Sequence, residues 1–283
     1  MPRPVAPSGV ARGLLVLVVP LAVLLALLPA PAGAAAPPRT GVPGPARVAP
    51  AGVDDAGCRP TAARPTPVVV VHGTFGDSAT LLRRLRAALV RDGYCVFSID
   101  YGRRATAPVE QSAAELSGFV DRVLASTGAR KVSLVGHSQG GMMPRYYLRF
   151  LGGAAKVDDL VGLAPSNHGT RTPLLLTPGL SSLCPACAQQ AAGSAFLRRL
   201  NDGDETPGAV SYTTVVTRYD EVVLPYTSGF LAGATNITLQ QKCRAHLPGH
   251  LLLPSDGAAI RVVRHALARR GPASPTYRPS CLP

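Results

Sequence analysis

Short apolar runs alternate with stretches of helical spacing along most of the chain. Residues 67–71 are apolar throughout, as in a strand that is buried on both faces. Leucines recur at helical spacing over residues 79–91, with arginines on the other side. Similar patterns predict further strands at 94–99, 131–135, 157–163 and 209–217, and further helices at 109–126, 142–151, 188–200 and from about 256. This alternation predicts an α/β fold with a central, mostly parallel sheet and helices on both faces.

The first 57 residues predict two segments that precede this fold. Arg3 and Arg12 come before an apolar run at 14–28 and small residues at A-x-A spacing, which is typical of a secretory signal peptide over residues 1–36. An uncleaved anchor is the alternative, although the run is short for a membrane span. Residues 37–57 are rich in Pro, Gly and Ala and predict a flexible leader, so the folded domain is expected over 58–283. We expect a secreted, extracellular protein with no transmembrane segment after signal removal.

Composition narrows the class of protein. Hydrophobic residues make up 46% and charged residues 16%, which excludes a disordered chain. The formal charge of +13 comes almost entirely from scattered arginines, without the interleaved aromatics of a nucleic-acid site. We interpret this positive charge as a property of the solvated surface and expect no nucleic-acid partner. We also expect a monomer.

The six cysteines are consistent with export, where disulfides persist, and allow 15 pairings. Cys184 and Cys187 form a C-x-x-C, which elsewhere indicates redox or zinc chemistry. Because a second C-x-x-C or a paired His motif is missing, we interpret it as a local structural disulfide.

A G-x-S-x-G motif at residues 136–140 lies between a predicted strand and a predicted helix. This context predicts a strained turn that presents Ser138 as a nucleophile at a helix N-terminus. Oxyanion donors are expected from the residue after the nucleophile, Gln139, and from the earlier glycine-containing loop at 72–76. There we assign Thr74, through its N–H and its hydroxyl.

The acid and the base should follow the nucleophile in the chain order Ser, acid, His. Asp220 comes just after the strand at 209–217 and is the candidate acid, with Glu221 as a bystander or substitute. His250 precedes the last predicted helix and is favoured as the base over His246. His265 is expected to be exposed on that helix. The remaining titratable residues of interest are expected to be structural or solvated: His72, His137, His168, Asp202, Asp204 and Glu205.

At these residues the chain resembles the secreted bacterial triacylglycerol lipases and esterases of the α/β-hydrolase superfamily and, more distantly, a yeast lipase. The resemblance is carried by an HGTFG oxyanion loop, a GHSQGG elbow, and the blocks at 164–170, 219–225 and 243–267. It implies an α/β-hydrolase fold with Asp220 as acid and His250 as base. It also implies disulfides Cys58–Cys95 and Cys243–Cys281, which leaves Cys184 with Cys187.

Two departures from the yeast sequence concern substrate access. His137 stands where the yeast enzyme has Trp, and residues 171–208 are unlike it. A segment this long is often a functional cover, so we interpret 171–208 as a lid or the wall of an acyl pocket, with a plain surface excursion as the alternative.

Together these features predict a serine carboxylic ester hydrolase that acts on acylglycerols through an acyl-enzyme, without metal or cofactor. Lipid esters, in part at a lipid–water interface, are the expected partners. A short-chain esterase, a phospholipase, a polyester hydrolase and an acyltransferase are alternatives with the same chemistry. A non-catalytic hydrolase-like binding protein and a redox protein built on the C-x-x-C are alternatives from other classes.

Overall fold

The computed structural model describes residues 52–172 and 179–282. The predicted signal peptide and residues 37–51 of the predicted leader lie outside the described residues, as do Leu174, Leu175 and Leu176. Residues 52–57 pack on the domain, since Val53 is buried and pairs with Val96 in parallel. Asp54 Oδ1 accepts a hydrogen bond of 2.6 Å from the amide of Ser98. The packed part of the chain therefore begins before Cys58.

Among the described residues, six strands form one sheet in the order β2-β1-β3-β4-β5-β6, and every pair is parallel. The strands are β1 Val68–Val71, β2 Val96–Ile99, β3 Val132–His137, β4 Val157–Leu163, β5 Ser211–Val216 and β6 Thr235–Thr238. The strand β6 was not predicted. The expected α/β fold is confirmed, with a sheet that is more uniformly parallel than expected.

The helices of the described residues are α1 Arg83–Arg91, α2 Gly102–Ala105, α3 Val109–Thr127, α4 Gln139–Phe150, α5 Leu180–Leu183, α6 Pro185–Gln189, α7 Ala195–Leu200, α8 Leu239–Lys242 and α9 Gly257–Leu267. Short 3₁₀ turns lie at Gly153–Ala155, Tyr226–Gly229 and Leu253–Ser255. The prediction of one helix over 188–200 is wrong. Gly193 has φ +76°, and the side chain of Ser194 accepts a hydrogen bond from the amide of Leu197, which starts a new helix at α7.

Two apolar cores cover the two faces of the sheet. Val69 and Val71 face one core with residues of α3 and α4, while Val68 and Val70 face the other with residues of α1 and α9. Successive side chains of a strand point to opposite faces, so an all-valine β1 supplies both cores. The carboxyl ends of the strands are left for loops, and these loops carry the candidate site.

Three disulfides join loops to this framework. They link Cys58 to Cys95, Cys184 to Cys187 and Cys243 to Cys281, the pairs that the resemblance implies. No helix in the described ranges is long and apolar enough to cross a bilayer.

Candidate active site

Ser138 lies on a sharp turn between β3 and α4. Its φ is +56°, a conformation that L-residues rarely adopt, and the neighbouring glycines make the turn sterically feasible. A Cβ at Gly136 would lie 1.7 Å from the carbonyl oxygen of Gly140. A Cβ at Gly140 would lie 2.3 Å from the carbonyl oxygen of Val71. Only glycine fits at both positions, so the motif has a steric basis here.

Asp220 and His250 are paired and almost fully buried. The Nδ1 of His250 lies 3.0 and 2.9 Å from the two carboxylate oxygens of Asp220. Oδ1 of Asp220 also accepts hydrogen bonds from the amides of Val222, at 2.9 Å, and Val223, at 2.7 Å. These donors hold the carboxylate in place. Donation from Nδ1 to the carboxylate leaves Nε2 of His250 as the basic nitrogen.

Polar side chains tie the loop of Asp220 to the loop of His250. The hydroxyl of Thr217 donates to the carbonyl oxygen of Pro248 at 2.7 Å, and Nε2 of Gln240 donates to that same hydroxyl at 2.9 Å. Glu221 accepts the backbone N–H of His250 at 2.8 Å, so its carboxylate fixes the backbone of the candidate base. The sequence patterns had indicated none of these roles.

His137, directly before Ser138, contacts His250. The ring centroids are 4.6 Å apart with a tilt of 51°, and Nε2 of His137 donates to the carbonyl oxygen of His250 at 3.0 Å. Burial, and then the charge of His250, hold the pKa of His137 well below its usual value. This contact places the turn of Ser138 and the loop of His250 side by side.

The loop of Thr74 lies against the turn of Ser138. A Cβ at Gly73 would lie only 2.7 Å from Cβ of Ser138, so the backbone of this loop approaches Ser138 as closely as glycine permits. Among the described residues, neither the amide of Thr74 nor that of Gln139 has a hydrogen-bond acceptor. Two amides without protein acceptors beside a serine at a helix N-terminus can bind an oxyanion.

Gln190, at the C-terminal end of α6, connects the two candidate oxyanion residues. Its Nε2 donates to Oγ1 of Thr74 and to Oε1 of Gln139, both at 3.0 Å, and its Oε1 accepts from the hydroxyl of Ser166 at 2.8 Å. The sequence analysis missed Gln190, because a glutamine in a predicted helix outside any motif carries no signal. The one sequence feature that could have drawn attention to Gln190 is its position in the segment 171–208, which was expected to form a lid or the wall of an acyl pocket.

Several expectations for other residues are corrected. His265 is not exposed, because it stacks on Tyr277 with centroids 3.8 Å apart. Glu205 is not simply solvated, since it accepts from Nε2 of His168 at 2.6 Å and from the amide of Ala232 at 2.7 Å. Arg145 is a buried exception to the solvated arginines, and burial lowers its pKa to about 10.

His246, the alternative base, is held away from Asp220 by other partners. Its Nδ1 contacts Asp256 at 2.7 Å, and its Nε2 donates to the carbonyl oxygen of Cys281 at 2.9 Å. His246 also lies close to the sulfurs of Cys243 and Cys281. These sulfurs are joined in a disulfide and are therefore not thiolate ligands for a metal.

Comparisons with known proteins find several lipases that are similar to this chain. The triacylglycerol lipase of Vibrio cholerae serotype O1 is 35% identical over 136 residues, which cover 41% of this chain and 43% of that protein. Lipase B of Pseudozyma antarctica is 29% identical over 133 residues, covering 44% of this chain and 38% of that protein. The chain thus matches about two fifths of the length of these relatives. The crystal structure of Aspergillus fumigatus lipase B superposes with a TM-score of 0.66 at 24% identity, covering 75% of this chain and 54% of that one.

The parallel sheet, the serine turn after β3 and the solved neighbours define an α/β-hydrolase fold. Residues 65–250 match the family model described as Lipase (class 2). The chain therefore belongs to the class 2 lipase family.

Proposed function

We propose that this chain is a secreted serine carboxylic ester hydrolase that acts on lipid esters, most of all acylglycerols. The observation that carries the proposal is the pairing of buried His250 with Asp220 beside the strained turn of Ser138. Ser138 follows β3, Asp220 follows β5, and His250 comes later in the chain and pairs with Asp220, which is the chain order of α/β hydrolases. The curated relatives from Vibrio cholerae and Pseudozyma antarctica, named as lipases, support the substrate class.

The mechanism is acyl transfer in two steps. Nε2 of His250 takes the proton of Ser138 while Oγ attacks the ester carbonyl, and Asp220 orients the imidazole and stabilises its charged form. The amides of Thr74 and Gln139 bind the oxyanion. His250 then protonates the leaving alcohol, and a water molecule, activated by His250, releases the acid.

Exposed apolar side chains near the site support a lipid substrate. They belong to loops that carry or flank the proposed catalytic residues: Phe75, Tyr219, Leu224, Leu247, Leu251 and Leu252. Exposed apolar patches of this kind mark surfaces that bind apolar partners. We propose that this rim contacts the lipid phase and that the segment 171–208 completes the acyl pocket.

Secretion is part of the proposal. The N-terminal pattern of a signal peptide and three disulfides, which persist in oxidising compartments, support an extracellular location. We further propose that the protein acts as a monomer without metal or cofactor.

The test is hydrolysis of p-nitrophenyl esters of graded chain length and of emulsified triacylglycerols by the purified protein. We expect turnover to rise when the substrate forms an interface. We expect the Ser138→Ala variant to have no turnover on any of these esters. Asp220→Asn should lower kcat by about 10⁴-fold, as loss of the orienting acid does in other triads. Turnover on short soluble esters alone would favour an esterase, release of acyl groups from phospholipids a phospholipase, and transfer to an added alcohol an acyltransferase.

Matched controls separate the chemistry from the fold. His246→Gln should retain turnover while His250→Gln loses it, and Asp202→Asn, in an exposed loop, should behave as wild type. The absence of Ser138-dependent turnover on every ester tested would contradict the proposal and favour a non-catalytic binding protein.

A further inference from the structure

The amide of Gln190 is fully committed inside the protein. The side chain is 3% exposed, and its two Nε2 hydrogens face three acceptors: Oγ1 of Thr74, Oε1 of Gln139 and the carbonyl oxygen of Ala186, at 3.0, 3.0 and 3.2 Å. The carbonyl oxygen of Ala186 can only accept, so the nitrogen of this amide faces it, and Oε1 on the other side accepts from the hydroxyl of Ser166. Gln190 can donate to Thr74 and Gln139 and accept from neither.

The hydroxyl of Thr74 has a single proton, and the structure directs it away from an incoming oxyanion. This hydroxyl donates to Oε1 of Gln139 at 2.6 Å. To bind an oxyanion, the hydroxyl of Thr74 must rotate its hydrogen away from Gln139, and Oε1 of the fully buried Gln139 then loses one donor. A buried acceptor without a donor is costly, so Gln139 alone would resist the rotation.

We propose that Gln190 is a positioning residue that frees the hydroxyl of Thr74 for the oxyanion; the inference rests on the proposed function. Nε2 of Gln190 keeps Oε1 of Gln139 hydrogen-bonded when the Thr74 proton leaves. The same amide donates to Oγ1 of Thr74, so the oxygen stays in place while its hydrogen rotates. The rotation exchanges one acceptor of the Thr74 proton for another, and Oε1 of Gln139 keeps a donor throughout.

The backbone of Gln190 is anchored independently of substrate. Its N–H donates to the carbonyl oxygens of Ala186 and Cys187 at the end of α6, and its own carbonyl accepts from the amide of Thr170 at 2.9 Å. Cys184 and Cys187 close the first turn of this short helix with a disulfide. The donor is therefore held in position before the reaction begins, as preorganised oxyanion stabilisation requires.

The test is a double-mutant cycle between Gln190→Met, which removes the donor at similar length, and Thr74→Val, which removes the hydroxyl. We expect Gln190→Met to lower kcat about tenfold with KM changed less than twofold, and Thr74→Val to lower kcat about a hundredfold. In the Thr74→Val background, Gln190→Met should have less than a twofold further effect. Affinity for a boronic acid that forms a tetrahedral adduct with serine should fall in parallel with kcat.

Gln189→Met is the matched control, because Gln189 bonds to Val109 and Glu110 instead of Thr74 or Gln139. It should leave kcat and boronate affinity unchanged, and each variant should show one cooperative unfolding transition above the assay temperature. Multiplicative losses in the double variant, or an effect of Gln190→Met on KM alone, would overturn the inference. If the proposed function is wrong, the wild type itself lacks Ser138-dependent turnover. If only the role of Gln190 is wrong, the wild type is active and the two substitutions act independently.

Discussion

His137 supports the candidate base through one hydrogen bond and a ring contact. Its Nε2 must carry a proton to donate to the carbonyl oxygen of His250. Burial, and then the charge of His250, lower its pKa, so the imidazole is neutral near pH 7. A neutral neighbour matters because His250 must become positively charged during catalysis, and a second positive ring would oppose that step.

We expect His137→Phe to keep the ring contact and to lose the bond to the His250 carbonyl. The loop of His250 is then less well fixed, and kcat should fall about tenfold, which corresponds to the roughly 1.4 kcal/mol of one buried hydrogen bond. Steady-state kinetics on a soluble p-nitrophenyl ester would measure the change. His265→Phe, far along the chain and stacked on Tyr277, is the control and should match the wild type. Equal kinetics for the two variants would contradict the supporting role of His137.

The disulfide of α6 bears on whether the C-x-x-C has a chemical role. Both sulfurs are buried, and the helix they close ends at Gln189, directly before Gln190. A disulfide that closes a loop of this size stabilises a fold by about 2 kcal/mol in the loop-entropy model. Its role is thus expected to be structural.

We expect replacement of both Cys184 and Cys187 by Ser to lower the free energy of unfolding by about 2 kcal/mol, which is roughly 4–8 °C in Tm for a domain of this size. Ester hydrolysis should survive below the new Tm. Thermal unfolding followed by circular dichroism, with activity assayed at 20–25 °C, would measure both. A folded double variant with no turnover would contradict a purely stabilising role for this disulfide.

The strand β1 could be predicted because burial on both faces of the sheet requires apolar residues at every position, and these form a continuous run in the sequence. The sequence did not predict β6, because Thr235 and Asn236 on this edge strand interrupt the apolar pattern. Ser138 was found because its turn admits only glycine at two fixed positions, which produces a motif. Gln190 and Gln240 act through hydrogen bonds across long sequence separations, and such bonds leave no local pattern. The break at Gly193 was missed because apolar residues continue at helical spacing on both sides of it.

The stability of the whole domain should depend on a carboxyl group that the proposed chemistry does not use. Asp159, near the start of β4, is 3% exposed, and the hydroxyl of Ser133 donates to it at 2.8 Å. Burial is the main cause that raises the pKa of Asp159 from 3.8 to about 7, and the nearby charge of Asp158 also raises it. The hydrogen bond from Ser133 and the charge of Lys131 act in the opposite direction. The folded state therefore holds a proton that the unfolded chain has already released between these two pH values.

This difference in proton binding has a definite sign. The folded pKa of an acid is raised, so the contribution of Asp159 to stability is greatest below about pH 4 and declines as pH rises to about 7. The decline is about 1.4 kcal/mol per pH unit, or about 4 kcal/mol over the interval. Asn is neutral at every pH, so Asp159→Asn should equal the wild type near pH 4 and unfold several degrees higher at pH 8. Thermal unfolding across pH 4–9 measures this, with Asp202→Asn, in an exposed loop, as the control. Parallel curves for Asp159→Asn and the wild type would show that Asp159 does not set this dependence, whereas curves that diverge steadily above pH 4 would assign the loss of stability to the ionisation of this buried carboxyl group.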